Sequence, residues 1–439
     1  MYKVHIQNNG YLIQKIKKVV FLHKMFKKIF KNTGYLFVSG IISKALFLIQ
    51  IIFIARYLGA AGLGKYAFVF AFGSLFFILS NPGLTDLATR DISRDKSKTS
   101  KYLGNLLIVK LCLCLVASLL MILTINLINA SQELRISIYL ICFVFSIDTF
   151  IWIFYSAFRA YEKMLYEALT LLIHNIVIVG FVLYFLIKGG SIIQLISAFV
   201  IGKTVGLIIT AYFGYKLLPK PLFEIDLKFW KYLMTKSIPF LVIGLFILII
   251  YRVDLVMLQF FKGEKIVGLY ELAYTIIRNL IIFPMFFVIS IYPSLSKNFT
   301  ENKERLSYLY KKSFLYLFLF SLFVVICCFI FGKFVILLMF GKEFIESVLI
   351  LRLISIGGFF LFLNIINVYY LNAINKPLVN VKIFIFGAVI NIMLNLMLIP
   401  KYSYTGAAIS SIISYFTIFV CEQMVVISSL RLVKTKKQW

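Results

Sequence analysis

The sequence predicts an all-α, polytopic membrane protein of about twelve transmembrane helices, in two six-helix lobes related by a parallel pseudo-two-fold. Four observations carry that prediction. Of 439 residues, 62% are hydrophobic and 14% charged, with a mean hydropathy of +0.97, whereas soluble domains run at ~45–50% and ~25%. The apolar residues fall in runs of about twenty, the length that crosses a ~30 Å hydrocarbon core. Lys and Arg crowd alternate connections between the runs. Finally, Gly59, Gly64 and Tyr66 recur as Gly263, Gly268 and Tyr270, an offset of 204 residues in a chain of 439. Both copies follow an apolar run, carry a Lys in the turn and precede an aromatic-rich run, which marks a duplication.

Residues 1–32 place Ile16, Val19, Val20, Phe26, Ile29 and Phe30 at helical spacing among Lys15, Lys17, Lys18, Lys24, Lys27, Lys28 and Lys31. That pattern predicts a basic amphipathic segment on anionic membrane lipids, with a disordered basic tail as the alternative. It lacks the pattern of a cleavable signal peptide. The N-lobe, 33–214, is predicted as helices over 33–55, 66–82, 103–128, 136–158, 165–187 and 191–214. A charged linker with Pro219 and Pro221 follows over 215–234. The C-lobe, 235–428, is predicted as helices over 235–258, 268–293, 313–331, 347–372, 378–399 and 405–428, and 429–439 forms a basic tail. Pro82, Pro239, Pro284 and Pro293 fall in or near these spans, where proline kinks a helix. The run 334–340 is too short to span and reads as an interfacial or re-entrant segment.

With the N-terminus cytoplasmic, connections on that side hold 30 Lys and Arg and those opposite hold 9. The positive-inside rule therefore sets both termini in the cytoplasm, in the cytoplasmic membrane. The net charge of +29 becomes a topological signal, which removes nucleic acid as a partner. Six crossings per half start both halves on one side. Transporters with such parallel repeats bind cargo between the halves. A second echo, Ala160-x-x-Lys163 and Ala373-x-x-Lys376, supports the duplication.

Seven bases lie inside the apolar runs: Lys44, Lys110, Lys203, Arg252, Arg278, Arg352 and Lys382. The acids at comparable depth are Asp148, Asp254, Glu271 and Glu422. Each costs ~2.5–3.5 kcal/mol at a helix centre, so such groups face a bundle interior or a wet cavity. Lys110, Lys203 and Lys382 have stems long enough to snorkel instead. Glu271, Thr275 and Arg278 share one helix face, and Arg252 and Asp254 end the preceding helix beside Tyr251. Asp148, Trp152, Tyr155 and Arg159 share a face in the first half. The substrate-binding candidates are Lys44, Arg252, Arg278, Arg352 and Arg159. Trp152, Tyr155 and Tyr274 are the sugar-contact candidates. The excess of bases suits a phosphate-bearing ligand, which arginine grips with a planar fork. A network of internal ion pairs would give the same sequence pattern.

No P-loop, metal-ligand spacing or Ser/His/Asp arrangement is present, and the six cysteines all sit in apolar runs as small buried side chains. His174 beside Asn175 reads as a core histidine before a proton relay. The chain is expected to be no enzyme and to need no cofactor. Proton or sodium gradient coupling would involve Asp148, Asp254 or Glu271 first.

Ala55-Arg56-Tyr57-Leu58-Gly59, Gly64-Lys65-Tyr66 and Asn81-Pro82-Gly83-Leu84 resemble the start of polysaccharide flippases of the multidrug/oligosaccharidyl-lipid/polysaccharide exporter superfamily. Arg252-Val253-Asp254, Gly268-Leu269-Tyr270, Tyr292-Pro293-Ser294-Leu295-Ser296 and Phe340-Gly341-Lys342-Glu343-Phe344 resemble the second-half counterparts. The resemblance implies a lipid-linked oligosaccharide (Wzx-type) flippase, moving undecaprenyl-diphosphate-linked repeat units to the periplasmic leaflet for O-antigen, capsule or exopolysaccharide assembly. It further implies alternating access through a cationic cavity and a lateral gate formed by the first and eighth helices, near Lys44, Glu271 and Arg278. The implied partners are the lipid-diphosphate-linked oligosaccharide and the polymerase and chain-length proteins of the same pathway. A small-molecule antiporter of the same superfamily and a membrane polysaccharide polymerase or ligase are the alternatives. The former would offer acids to cationic cargo, and the latter would carry a long outer loop. The recurring hairpins are expected on the periplasmic side, with glycines permitting a tight turn and Tyr66 and Tyr270 anchoring at the interface.

Overall fold

The computed structural model describes residues 2–128 and 130–435. Among them the chain is helical throughout, without strands. The N-terminal half comprises α1 (Tyr2–Phe77), α2 (Leu84–Arg94), α3 (Thr99–Leu127), α4 (Gln132–Ala160), α5 (Met164–Ile187) and α6 (Ile192–Leu217). The C-terminal half comprises α7 (Leu227–Lys262), α8 (Glu264–Leu280), α9 (Ile282–Glu301), α10 (Lys303–Met339), α11 (Ser347–Ala373) and α12 (Pro377–Thr435).

Ten helical segments are long and apolar enough to cross a membrane, and they make twelve crossings. The apolar part of α1, Gly34–Ser80, has 47 residues. At 1.5 Å per residue that is about 70 Å, twice a bilayer core. The helix turns back at Gly59, whose φ of +66° and ψ of −170° only glycine adopts freely. In α12, Pro377–Leu430, the reversal comes at Ser403, φ +54°, just after Pro400. Helices α8 and α9 together make one crossing, broken at Ile281.

Two predicted boundaries change. The run 334–340 is not a re-entrant segment: α10 continues through it to Met339, and its apolar side chains prolong the helix rather than leave it. The connection between halves is also shorter than 215–234. Helix α6 runs to Leu217, and Asp226 starts α7 by accepting from the Phe229 N–H at 2.9 Å. For the basic N-terminal segment, the backbone is helical as part of α1, but the side chains of residues 2–31 lie outside those described. So do the side chains of 431–439.

The turns that carry the repeat mark one face of the bundle, the hairpin face. The opposite face carries the linker. Gly263 repeats the backbone of Gly59, with φ +81° and ψ 179°. On the linker face, Glu162 and Asn375 occupy matching left-handed positions, φ 55° and 59°. Lys163 and Lys376 close identical turns there, bonding Phe158 O at 2.8 Å and Leu371 O at 2.9 Å. Both sequence echoes are thus the same local structure built twice.

The largest apolar core that joins both halves lies toward the hairpin face. One cluster there joins Ile51, Ile54, Leu63 and Phe68 of α1 to Leu255 and Leu258 of α7, Val267, Leu269 and Leu272 of α8 and Ile350 of α11. Toward the linker face it divides. One cluster packs α2, α3 and α4 with the start of α7, and another packs α9, α10, α11 and the end of α12.

Candidate functional site

The space between the halves widens into a cavity of about 390 Å³. Ser74, Asn81, Asp148 and Trp152 line it from the first half, Tyr251 and Arg252 from the second. Of the groups that the sequence places on inward helix faces, Asp148, Trp152, Tyr251 and Arg252 reach it. Pro82 and Gly83 end the preceding 3-10 turn, so Asn81 stands at the cavity edge.

Beside the cavity, α1, α7 and α8 bring four ionisable groups together. The Glu271 carboxylate takes Arg278 at 3.0 Å and Arg252 at 3.7 Å, both on Oε1, and Thr275 at 3.0 Å. Lys44 lies close enough to Arg278 for the two cations to repel. Arg278 stacks over Tyr274 at 5.7 Å and Phe47 at 6.0 Å. Two bases therefore share one acid, and a third stands beside them. The Glu271 side chain is almost fully buried, while Arg252 and Arg278 keep 23% and 21% of their side chains exposed. Arg278 Nη1 and Glu271 Oε2 are buried without a hydrogen-bond partner. Such a guanidinium in a low-dielectric setting favours a second anion, because the one carboxylate that pairs with it is shared with Arg252. Lys44 also opens onto an apolar cleft of about 360 Å³ between α1 and α8–α9, lined by Phe37, Ile41, Leu280, Phe283 and Phe286.

The other predicted residues are placed differently. Arg159 grips Glu167 through both Nε and Nη2, with Nε–Oε2 at 2.9 Å, and stacks on Trp152 at 5.2 Å. Glu167 is a partner that sequence reading missed, although its spacing of eight residues across the α4–α5 turn was visible. Asp148 holds Lys203 at 2.6 Å and Trp152 Nε1 at 3.3 Å, and Lys203 reaches His174 Nε2 at 3.5 Å. Lys203 thus pairs inside the lobe instead of snorkelling. Lys110 does likewise: it is fully buried with Nζ at 3.3 Å from Thr149 O. Arg352 does not join the cavity. It donates to Phe329 O at 3.0 Å and rests on the Phe329 ring, on the side of α11 turned to α10. Asp254 is buried and accepts from Tyr270 Oη and the Leu255 N–H rather than from an arginine. Of the aromatic candidates Trp152 lines the cavity. Tyr155 is buried with Thr170 on its hydroxyl at 2.9 Å, and Tyr274 bonds Tyr415 at 3.1 Å while supporting Arg278.

The hairpin tyrosines are not interfacial anchors. Tyr66 and Tyr270 are 3% and 0% exposed. Tyr66 accepts from Gln50 at 3.3 Å and packs on Phe70 and Phe199, because its helix faces the inter-lobe core rather than lipid.

Comparison with known proteins agrees with this architecture. Two uncharacterized membrane proteins of Methanocaldococcus jannaschii are similar. MJ1068 is 29% identical over 177 residues, 40% of this chain and 35% of that protein. MJ1375 is 25% identical over 274 residues, 59% of this chain and 63% of that protein. The matched regions thus span less than two thirds of either relative. Among solved structures, the lipid II flippase MurJ in an inward closed conformation superposes with a TM-score of 0.71 at 17% identity, covering 89% of this chain and 87% of MurJ. A multidrug resistance MATE family transporter of the MOP superfamily, inward-facing, gives 0.70 at 15% identity, covering 89% and 95%. A MOP superfamily transporter from Pyrococcus furiosus, described as having reverse polarity of its binding pocket, gives 0.57 at 15% identity, covering 92% and 96%. The fold is therefore that of the MOP-superfamily transporters. Residues 29–299 match the polysaccharide biosynthesis protein family. This multi-pass membrane protein belongs to the polysaccharide biosynthesis protein family.

Proposed function

We propose that the chain flips polyprenyl-diphosphate-linked oligosaccharides, of the undecaprenyl type, across the cytoplasmic membrane for surface polysaccharide assembly. The observation that carries this reading is the pairing of Arg252 and Arg278 with the single carboxylate Glu271, with Lys44 beside Arg278 and one guanidinium nitrogen left free. A diphosphate supplies the missing negative charge and enough acceptors for two arginine forks. The apolar cleft at Lys44 suits the prenyl chain, and the cavity with Trp152, Asn81 and Ser74 suits sugar hydroxyls and rings. Family membership and the fold shared with a lipid II flippase support the same substrate class. On the positive-inside bias, the linker face is cytoplasmic and cargo is released at the hairpin face. Polymerase and chain-length proteins would then receive the product, as O-antigen, capsule or exopolysaccharide.

The test is transport of a fluorescent polyprenyl-diphosphate oligosaccharide in proteoliposomes. Arg278→Ala and Arg252→Ala should each slow flipping about 10- to 100-fold, the loss of one charge-assisted bidentate contact. Arg278→Lys should retain part of the rate. Wild-type rates in both alanine variants would remove the cationic site from the mechanism. Export of cationic dyes without lipid flipping would favour the small-molecule antiporter instead.

A further inference from the structure

We propose that Glu422, on α12, is a proton-binding site of the C-terminal half, filled from the inter-lobe cavity past Tyr251. Glu422 has no exposed surface, and neither carboxylate oxygen has a hydrogen-bond partner. Every other buried carboxylate among the described residues is paired: Asp254 with Tyr270, Glu167 with Arg159, and Glu271 with its arginines. An ionised carboxylate without donor or counter-charge is among the costliest groups to keep in a low-dielectric interior.

The neighbouring helix shows what the site accommodates. On α11, Asn367 gives its carbonyl oxygen to Tyr310 at 2.7 Å, which leaves Nδ2 unpartnered. One turn away, Asn364 gives its amide to the Tyr415 carbonyl at 3.3 Å, which leaves Oδ1 unpartnered. One free donor and one free acceptor thus stand on the helix that packs along α12. Asn367 acts directly on the Glu422 carboxyl. A proton on Glu422 removes the charge and leaves a carboxyl oxygen to which the Asn367 amide can donate. Without that proton, two unpartnered and charged carboxylate oxygens face a single donor.

The titratable groups that face the carboxyl are Tyr251 on α7 and Tyr310 on α10; among the described residues no lysine, arginine or second acid acts on it. Tyr251 also lines the cavity beside Arg252 and stacks toward Tyr415, ring centroids 6.4 Å apart. Tyr415 in turn bonds Tyr274, which underlies Arg278. A line of phenols therefore joins the anion site to the helix that carries Glu422. A proton leaving cavity water for the carboxylate neutralises it, and its return restores the charge. The contact between α11 and α12 is favourable only in the neutral form. Protonation would thereby be coupled to how the C-terminal half packs around the anion site. This inference rests on the transport reading only for its role in coupling; the site itself does not.

Infrared difference spectroscopy on the full chain in bilayers, in sodium-free buffer, tests the site without any substrate. Wild type should show a protonated-carboxyl band that Glu422→Gln lacks. Asn367→Leu, which keeps the carboxyl and removes its donor, should shift the band without abolishing it. In proteoliposomes, a gradient of two pH units should change wild-type flipping severalfold and leave the rate of Glu422→Gln unchanged. Identical bands in wild type and Glu422→Gln would overturn the proposal. So would loss of the wild-type band on adding sodium, which would mark a metal-cation site. A Glu422→Gln protein that still responds to the gradient would overturn the coupling. Presence of the band with no lipid flipping in wild type would uphold the site and sink the flippase reading.

Discussion

The two faces of the bundle hold the halves together by different means. At the hairpin face, backbone meets backbone. A Cβ on Gly64 would overlap the Glu264 carbonyl, and a Cβ on Gly268 would overlap the carbonyl of Ala60. Ala60 and Glu264 are themselves related by the 204-residue offset, so this is one contact made twice about a local two-fold. A shared apolar core lies directly beneath it. At the linker face the core divides, with only the start of α7 packed on the first half, and polar side chains fix that contact. Trp230 Nε1 donates to Asn105 at 2.7 Å, Lys101 pairs with Asp226 at 2.7 Å, and Tyr232 donates to Asp91 at 2.9 Å. The structure is therefore closed at the hairpins and parted toward the linker. Close backbone packing is all-or-none, whereas exposed polar contacts can be exchanged at low cost. On the transport function proposed above, alternating access would use one of each in any given state.

The sharpest way to break that contrast is Gly268→Val. The added side chain would have to enter the Ala60–Gly64 backbone, and overpacking of this kind costs about 1–3 kcal/mol. At 1.4 kcal/mol per tenfold, the closed hairpin face should lose about one to two orders of magnitude in population relative to the parted form. Spin labels at the exposed, symmetry-related Tyr57 and Phe261 would report it as a longer inter-label distance. An unchanged distance distribution would mean that the glycines serve only the turn.

That contact also shows what could be read from the chain and what could not. Gly59, Gly64, Gly268 and their tyrosines stood out because a duplicated pattern is visible without structure. The twelve crossings were equally legible, because hydropathy and charge bias report chain–lipid contact directly. Whether a glycine serves a turn or a close approach depends on what arrives from 200 residues away, and no local pattern encodes that. The same holds for the charges. Arg278, Thr275 and Glu271 share a face at helical spacing, so their union was foreseeable. Arg159 with Glu167 and Lys203 with Asp148 pair across helices, which only the packing decides. Arg352 looked like its fellow arginines and faces α10.

A smaller effect is expected at the rim of the hairpin face. There Glu343 reaches across from the turn after α10 and accepts the Ala60 N–H at 2.8 Å, so it caps the second stretch of α1 from the opposite half. Arg56 reciprocates by donating to the last carbonyls of α10, Leu338 and Met339. A carboxylate at a helix N-terminus contributes about 1 kcal/mol. Glu343→Ala should therefore shift the same label distance about fivefold in population, short of the effect of Gly268→Val. A larger effect from the rim than from the glycines would reverse the order argued above.

The weakest contact should be the one at the linker face, and pH separates it from the rest. Asp91 lies outside the membrane-spanning helices. Burial opposes its ionisation, but hydrogen bonds from Arg90, Tyr102 and Tyr232 outweigh burial and hold its carboxyl below the usual carboxylate range. A carboxylate depressed in the folded state stabilises fully above its unfolded value of about 3.9 and loses that contribution as pH falls through the folded value. The Tyr232–Asp91 link should therefore be constant from pH 8 to pH 5 and weaken only below about 4. Asp91→Asn should cost less than about 1 kcal/mol, because Tyr232 is substantially exposed and an amide still accepts its proton. Fluorescence of Trp230, two residues from Tyr232 and bonded to Asn105, would follow the docking of α7 on the first half. A transition near pH 6 in that signal, abolished by Asp91→Asn, would show a carboxyl working against its surroundings and a linker face held by charge rather than by exchangeable hydrogen bonds.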